Sequence, residues 1–161
     1  MTYQITVDKE KSRQERYEQL LPQIASLIKG ERNLIANLAN TAAALKDSFG
    51  FLWVGFYLME DTELVLGPFQ GPIACNRIKS GQGVCGRAVE QAQTIIVDNV
   101  HEFEGHIACS AETNSEIVVP LIRSGKVIAV LDADSDQFQD FDETDKSYLE
   151  KIVELLIEQL D

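Results

Sequence analysis

The chain has 161 residues, a formal charge of −12 and three cysteines. The length fits a single domain over residues 1–161, and the negative charge with scattered basic residues argues against nucleic acid as a partner. Residues 1–10 lack the basic and apolar parts of a signal peptide, and no run reaches the ~20 apolar residues of a membrane helix, so we expect a cytoplasmic protein without membrane contact.

Two helices are predicted in the first third of the chain. Ser12 and Glu15 have the spacing of a capping box, and apolar residues follow with helical periodicity until Gly30. A second helical pattern runs over residues 31–49 and ends at Gly50. Both patterns have one apolar face, so we expect both helices to pack against a sheet or against each other.

The next two segments, residues 51–59 and 62–70, are predicted to form a hairpin with a short acidic turn. Side chains alternate along a strand, so Trp53, Gly55 and Tyr57 share one face of the first strand. Trp53 and Tyr57 either pack in the core or form a wall for a ligand. The pattern by itself favours core packing.

The three cysteines, Cys75, Cys85 and Cys109, cluster in the middle of the chain. The surrounding segments are predicted as a loop over residues 71–80, a helix over 84–91, a strand over 94–97 and a loop over 98–114. Burial alone would explain each cysteine about as well as chemistry, because free cysteine is often a core residue. An odd number of cysteines in a reducing compartment nevertheless favours catalysis, metal binding or redox work over a disulfide framework.

A second hairpin is predicted from residues 115–122 and 126–134, and a last helix begins after Asp142. Consecutive hairpins make the sheet mainly antiparallel, and the long helices come from the two ends of the chain. The sequence therefore predicts an α+β domain.

Three acidic residues, Glu116, Asp132 and Asp134, interrupt the apolar strands of this second hairpin. A charge in an apolar strand must reach water, a partner or a ligand, because an isolated buried carboxylate is costly. Two explanations stay open: the aspartates begin the polar loop that follows, or the three carboxyls form a site. If they meet, they titrate as a coupled group that can hold an ammonium ion and keep a proton to donate.

The turn of the hairpin decides whether these carboxyls meet. A two-residue turn over residues 124–125 places Glu116 opposite Ala133, on the other face from both aspartates. A three-residue loop with Gly125 in the left-handed conformation places Glu116 opposite Asp132 instead. Glycine at the third loop position suits the longer loop, so we predict that loop.

Five segments together resemble the free methionine-(R)-sulfoxide reductases, which are built on a GAF-type domain. The segments are residues 53–58 (WVGFYL), 66–71 (LGPFQG), 83–86 (GVCG), 106–109 (HIAC) and 116–121 (EIVVPL). The resemblance covers nearly the whole chain and implies a six-stranded, mainly antiparallel sheet flanked by the N- and C-terminal helices. It also implies reduction of the R-sulfoxide of the free amino acid methionine, without a cofactor or a metal.

The resemblance implies different roles for the three cysteines. Cys109 would attack the sulfoxide sulfur and become a sulfenic acid. Cys75 would then form a disulfide with it, which thioredoxin or a similar dithiol would reduce. Cys85 would be a buried support or an alternative relay cysteine.

The resemblance also places the acidic and aromatic residues in the substrate site. Glu116, Asp132 and Asp134 would bind the amino group of the substrate and help to protonate or polarise the sulfoxide oxygen. Trp53 and Tyr57 would form the apolar wall for the methyl-sulfur end of the substrate.

Two other interpretations compete with this one. A GAF sensor module would bind a small molecule without catalysis, but it has no need of three cysteines beside a carboxyl cluster. A zinc site made of the three cysteines is disfavoured because their spacings, ten and twenty-four residues, lack the close ligand pairs of such sites. Oligomeric state is open, because Leu155 and Ile157 would face either a partner in a homodimer or another layer of the same domain.

Overall fold

The computed structural model describes residues 3–161, which form four α-helices and six strands. In chain order the elements are α1 (Arg13–Ile28), α2 (Leu34–Phe49), β1 (Trp53–Glu60), β2 (Glu63–Gln70), β3 (Arg77–Lys79), α3 (Gly83–Gln91), β4 (Ile95–Val97), a 3₁₀ turn (Val100–Glu102), β5 (Ser115–Arg123), β6 (Lys126–Ser135) and α4 (Glu143–Glu158). Strand β3 lies inside a segment that was predicted as a loop. Its three residues are too few for an alternating pattern to be recognised.

Side-chain caps define where the long helices begin. Ser12 and Glu15 form the predicted capping box of α1. Helix α2 begins at Leu34, later than predicted, because the side chain of Asn33 accepts a hydrogen bond from the first turn. Asp142 caps α4, as predicted.

The six strands form one antiparallel sheet in the order β3-β2-β1-β6-β5-β4. This confirms the predicted α+β class and the six-stranded sheet. The two hairpins meet through the pairing of β1 with β6, which places Trp53 beside Asp134 and Gly55 beside Asp132. The aromatic face of the first hairpin therefore lies next to the acidic face of the second.

The two faces of the sheet have different coverings. Helices α2 and α4 pack on one face of the sheet, α1 packs against these two helices, and the three together enclose the larger hydrophobic core. The other face carries Trp53 and Tyr57 and is covered by α3 and by the loops around it. The three long helices thus cover one face of the sheet. Helix α3 and the loops cover the other face, which carries the cysteines and the carboxyls.

The turn between β5 and β6 differs from the prediction. Arg123 pairs with Lys126, so Ser124 and Gly125 form a two-residue turn with φ values of 51° and 78°. Two successive left-handed residues are typical of the type I′ turn, whose twist matches that of the strands. The predicted three-residue loop is wrong because Ser124 adopts the left-handed conformation that we expected only of Gly125.

A β-bulge nevertheless brings the three carboxyls onto one face. Ile128 is the extra residue on β6, and the pairing shifts by one residue at this point. Beyond the bulge, Glu116 lies opposite Asp134 and not opposite Asp132 as predicted. Side chains two residues apart point to the same face, so Asp132 joins them there.

Gly55 provides a test of how closely the first two strands pack. A Cβ atom at Gly55 would collide with the Cβ of Phe69, and it would lie only 2.7 Å from the Phe69 Cα. We expect Gly55→Ala to lower the free energy of unfolding by about 1–3 kcal/mol, because backbone atoms would have to move. Urea unfolding measures this change, and an unchanged midpoint would contradict the packing described.

The apolar residues that raised the question of a homodimer, Leu155 and Ile157, pack partly buried against the larger core of their own chain. In residues 3–161, the helices lack the combination of length and apolar composition needed to cross a bilayer.

Candidate active site

A small cavity of about 40 Å³ lies between the sheet, α3 and the loop that precedes β5. Seven of the eight candidate residues line it: Trp53, Tyr57, Cys85, Cys109, Glu116, Asp132 and Asp134. The eighth, Cys75, is bonded to Cys109. The fold therefore brings residues from both hairpins, from α3 and from two loops to one place.

Cys75 and Cys109 form a disulfide with a Cα–Cα distance of 5.3 Å. Cys75 follows β2, and its carbonyl oxygen accepts a hydrogen bond of 2.9 Å from the hydroxyl of Tyr57. Cys109 lies in the long loop before β5. The disulfide thus ties this loop to the strand side of the cavity.

The carboxyls beside the disulfide are buried. Glu116 and Asp132 are 6% and 5% exposed, whereas Asp134 is half-buried. Burial raises the pKa of Asp132 to about 6. Burial, and next the neighbouring charge of Asp132, raise the pKa values of Glu116 and Asp134 well above their usual range, although solvent moderates the effect at Asp134.

These shifts determine the protonation of the group at neutral pH. The three carboxyls cannot all be ionised so close together. Burial and the charges of its two acidic neighbours keep the proton on Glu116, whereas Asp132 is largely ionised. The site therefore offers both a proton donor and a negative charge.

Cys85 is the third cysteine and has a different environment. It lies in α3, is 4% exposed, and its Sγ atom is 3.9 Å from the Oε1 atom of Glu116. Burial first, and then the charges of Asp132 and Glu116, raise the pKa of its thiol well above the usual value. Cys85 is therefore a neutral thiol at neutral pH and a poor nucleophile.

The aromatic wall consists of Trp53 stacked on Tyr57 and Phe69, with ring centroids 5.9 Å and 5.2 Å apart. The Nε1 of Trp53 donates a hydrogen bond to the carbonyl of Pro72. Trp53 and Tyr57 pack in the smaller core and also line the cavity, so core packing is observed and their role as a wall for a ligand stays a prediction.

Sequence reasoning did not select several polar residues that line the cavity, namely Gln82, His106, Ser110 and Thr113. Two of them lie within three residues of Cys109, and that proximity was the available signal. Burial lowers the pKa of His106, so its ring is neutral at neutral pH. The loop is closed at its base by Asn114, which bonds to Val100 and to the end of β6.

The buried charge of Asp132 should reduce stability, and Asp132→Asn tests this. The folded-state pKa, about 6, lies above the ~3.9 of an unfolded aspartate, so stability is lost as pH rises between the two values. We expect the variant to gain up to about 3 kcal/mol at pH 7 and almost nothing at pH 4. Urea unfolding under non-reducing conditions at both pH values measures this.

The matched control is Asp98→Asn, which changes an exposed aspartate. We expect it to alter stability by less than about 0.5 kcal/mol at both pH values. An Asp132→Asn gain that is equal at pH 4 and pH 7 would show that burial of the charge is not its source.

Comparisons with known proteins identify the family of this chain. Residues 31–156 match the family model of the GAF domain. The chain is 59% identical over 146 residues to GAF domain-containing protein A of Dictyostelium discoideum, covering 90% of this chain and 92% of that protein. It is 49% identical over 138 residues to the free methionine-R-sulfoxide reductase of Escherichia coli, covering 85% and 84% of the two chains.

A solved structure extends the similarity to the whole fold. The free methionine-R-sulfoxide reductase of Neisseria meningitidis, determined in complex with its substrate, matches with a TM-score of 0.96 and 46% identity. The match covers 99% of this chain and 96% of that one. This chain therefore belongs to the free methionine-R-sulfoxide reductases, a family of oxidoreductases with the GAF fold.

Proposed function

We propose that this chain reduces free methionine (R)-sulfoxide with Cys109 as the nucleophile and Cys75 as the resolving cysteine. The observation that carries the proposal is the disulfide between these two residues at the edge of a cavity lined by buried carboxyls. The relatives from E. coli and N. meningitidis support the substrate, because both are free methionine-R-sulfoxide reductases.

The reaction begins with both cysteines reduced. The thiolate of Cys109 attacks the sulfur of the sulfoxide, the oxygen passes to Cys109 as a sulfenic acid, and methionine leaves. The thiol of Cys75 then attacks the sulfenic sulfur, which forms the disulfide and releases water. Thioredoxin or a similar dithiol supplies two electrons, restores both thiols and becomes a disulfide itself.

The carboxyls supply the proton that this reaction needs. A sulfoxide oxygen leaves sulfur only when it is protonated, so a donor must lie near the nucleophile. Glu116 suits this role because burial and its acidic neighbours keep it protonated at neutral pH. Asp132 and Asp134 provide negative charge for the ammonium group of the substrate.

This arrangement explains a preference for the free amino acid. A methionine sulfoxide residue within a peptide has no ammonium group to place among the carboxyls, and its backbone would have to enter a narrow cavity. Trp53 and Tyr57 offer an apolar surface to the methyl-sulfur end. The ammonium group thus selects the substrate, and the aromatic wall orients it.

The disulfide-linked structure corresponds to the end of the oxidative half-reaction. Its cavity of about 40 Å³ holds roughly three water molecules, which is too little for methionine sulfoxide. We infer that reduction of the disulfide releases the loop carrying Cys109 and widens the cavity for the next substrate.

One assay tests the proposal. The pure protein is incubated with dithiothreitol and each diastereomer of methionine sulfoxide, free and peptide-bound, and released methionine is measured. We expect turnover of the free R form alone. A GAF sensor would bind a ligand without turnover, so absence of methionine release from the free R form would reject the enzyme proposal. Light scattering of the same sample tests for a homodimer.

A further inference from the structure

We propose that residues 72–75 form the docking site for a dithiol protein of the thioredoxin type, and that this protein attacks the sulfur of Cys75 and not that of Cys109. Ile73 is the apolar residue that the partner would cover. Its side chain is 91% exposed, and it lies two residues from Cys75 at the rim of the cavity that Cys109 lines. The docking site rests on the proposed function, in which a dithiol recycles this disulfide.

The residues on either side of Ile73 hold it in this exposed position. The carbonyl of Pro72 accepts a hydrogen bond of 3.1 Å from the Nε1 of Trp53, and the carbonyl of Cys75 accepts one of 2.9 Å from the hydroxyl of Tyr57. Both donors belong to β1, a central strand of the sheet. A single exposed isoleucine is ordinary, but this one is presented by a backbone that is fixed at two points. A partner would therefore spend little free energy on ordering the segment.

The backbone between these two points is open to a partner strand. Within residues 3–161, the N–H and C=O groups of Ile73 and Ala74 take part in no hydrogen bond. Free main-chain groups of this kind are recognised by hydrogen bonds to the backbone of a partner, which also covers the side chains. A dithiol protein that pairs with residues 73 and 74 would bring its own cysteine next to Cys75.

The chain on both sides of the disulfide lacks charged side chains. Residues 64–76 and 105–111 contain no Asp, Glu, Lys or Arg, although these four types make up 25% of the chain. The one titratable side chain apart from the cysteines, His106, is neutral because burial lowers the pKa of its ring. Charged residues are depleted in the centres of protein interfaces, because covering them removes their hydration. These two segments therefore suit contact with an apolar protein surface.

The two sulfurs of the disulfide differ in their surroundings. Cys109 lines the cavity together with Glu116, Asp132 and Asp134, whereas Cys75 is not among the lining residues. A thiolate that attacks Cys109 would approach the negative charge of Asp132, which repels it at short range. Attack at Cys75 avoids this charge and starts from the docking segment itself.

The exchange then takes two steps. A thiolate of the partner forms a bond to the sulfur of Cys75, the bond between Cys75 and Cys109 breaks, and its electron pair leaves with Cys109, which takes up a proton. The second thiolate of the partner attacks the partner's own sulfur in the mixed disulfide, and Cys75 leaves and is protonated. The partner ends as a disulfide, and Cys109 is the first sulfur to be freed for the next substrate.

The first test compares a protein reductant with a small one. The oxidised chain is mixed with reduced thioredoxin or with dithiothreitol, without methionine sulfoxide, and loss of the Cys75–Cys109 disulfide is followed by mass spectrometry after alkylation. We expect Ile73→Asp to lower the rate constant with thioredoxin by about tenfold or more, because a charge replaces the apolar contact. The rate constant with dithiothreitol should change by less than about twofold, because this reagent needs no docking surface.

Two variants control for the substitution itself. Ile73→Val keeps an apolar side chain and should retain most of the rate with thioredoxin. Ile35→Asp places the same charge at another exposed isoleucine, on α2 at the other face of the sheet, and should leave both rate constants unchanged. Light scattering tests the other occupant, a second copy of this chain. A dimer that Ile73→Asp converts to a monomer would assign the surface to self-association and overturn the proposal.

The second test identifies the attacked sulfur. Chains that carry Cys85→Ser with either Cys109→Ser or Cys75→Ser each keep one cysteine, which is converted to a mixed disulfide with nitrothiobenzoate. Thioredoxin or dithiothreitol then releases the yellow nitrothiobenzoate anion. We expect the ratio of the thioredoxin rate to the dithiothreitol rate to be about tenfold or more higher for Cys75 than for Cys109.

Three further outcomes would overturn the proposal: an equal or higher ratio at Cys109, a thioredoxin rate that Ile73→Asp leaves unchanged, or no reduction of the wild-type disulfide by thioredoxin. Neither test contains methionine sulfoxide. A chain that passes both tests but releases no methionine in the reductase assay would lose the proposed function and keep the docking site.

Discussion

Replacing Cys109 by serine is expected to lower methionine release from free methionine (R)-sulfoxide by at least about 10⁴-fold, because loss of the nucleophile removes the covalent route. Cys109 lines the cavity and is linked to Cys75, which is consistent with the proposed role of its sulfur as the attacking atom. The measurement is methionine formed in a single turnover of the reduced protein, without added reductant.

The other two cysteines give different expected results. Cys75→Ser should release about one methionine per chain and then stop when thioredoxin is the only reductant, since no disulfide can form for thioredoxin to attack. Cys85→Ser should retain most of the activity, because the thiol of Cys85 is buried and neutral. An inactive Cys85→Ser with an active Cys109→Ser would show that the proposed roles are wrong.

Blocking the amino group of the substrate should have an effect of similar size. We expect N-acetylmethionine (R)-sulfoxide to be reduced with kcat/KM about 10⁴–10⁵-fold below that of the free amino acid, because buried groups built to bind a polar substrate group are left unpaired. In the proposed site the group left unpaired is the buried carboxylate of Asp132, with the half-buried Asp134 beside it. Steady-state kinetics with both substrates measures the ratio.

A variant identifies the source of this discrimination. Asp132→Asn should lower kcat/KM for the free amino acid much more than for the acetylated one, so that the ratio between them shrinks. The matched control Asp98→Asn changes an exposed aspartate and should preserve the ratio. Comparable rates for the two substrates in the wild-type chain would contradict ammonium binding by the carboxyls.

Local patterns in the chain predicted most of the fold. The capping residues Ser12 and Asp142 mark the starts of α1 and α4, and the alternation of apolar residues located both long hairpins. These signals are reliable because each depends on residues only a few positions apart. The clustering of the three cysteines and the resemblance of five segments to a known family predicted the type of chemistry.

Other features of the site depend on contacts between distant residues. The turn at Ser124 and the bulge at Ile128 set which residues face Glu116, and neither could be read from turn composition alone. The turn was predicted one residue too long, and the bulge was not predicted. Together these two errors shift the partner of Glu116 by two residues, and a shift of two residues keeps the side chains on the same face. The shared face of the carboxyls was therefore predicted, but the partner of Glu116 was not.

Local sequence was enough to place helices, hairpins and candidate chemical groups in this chain, because caps, turns and alternation act over a few residues. The pairing of β1 with β6, the burial of Asp132 beside Gly55 and the approach of Cys75 to Cys109 arise only when distant strands and loops pack together. Burial and proximity are what raise the pKa values of the carboxyls and the Cys85 thiol. The chemical character of the site therefore follows from packing, and not from the residue types alone.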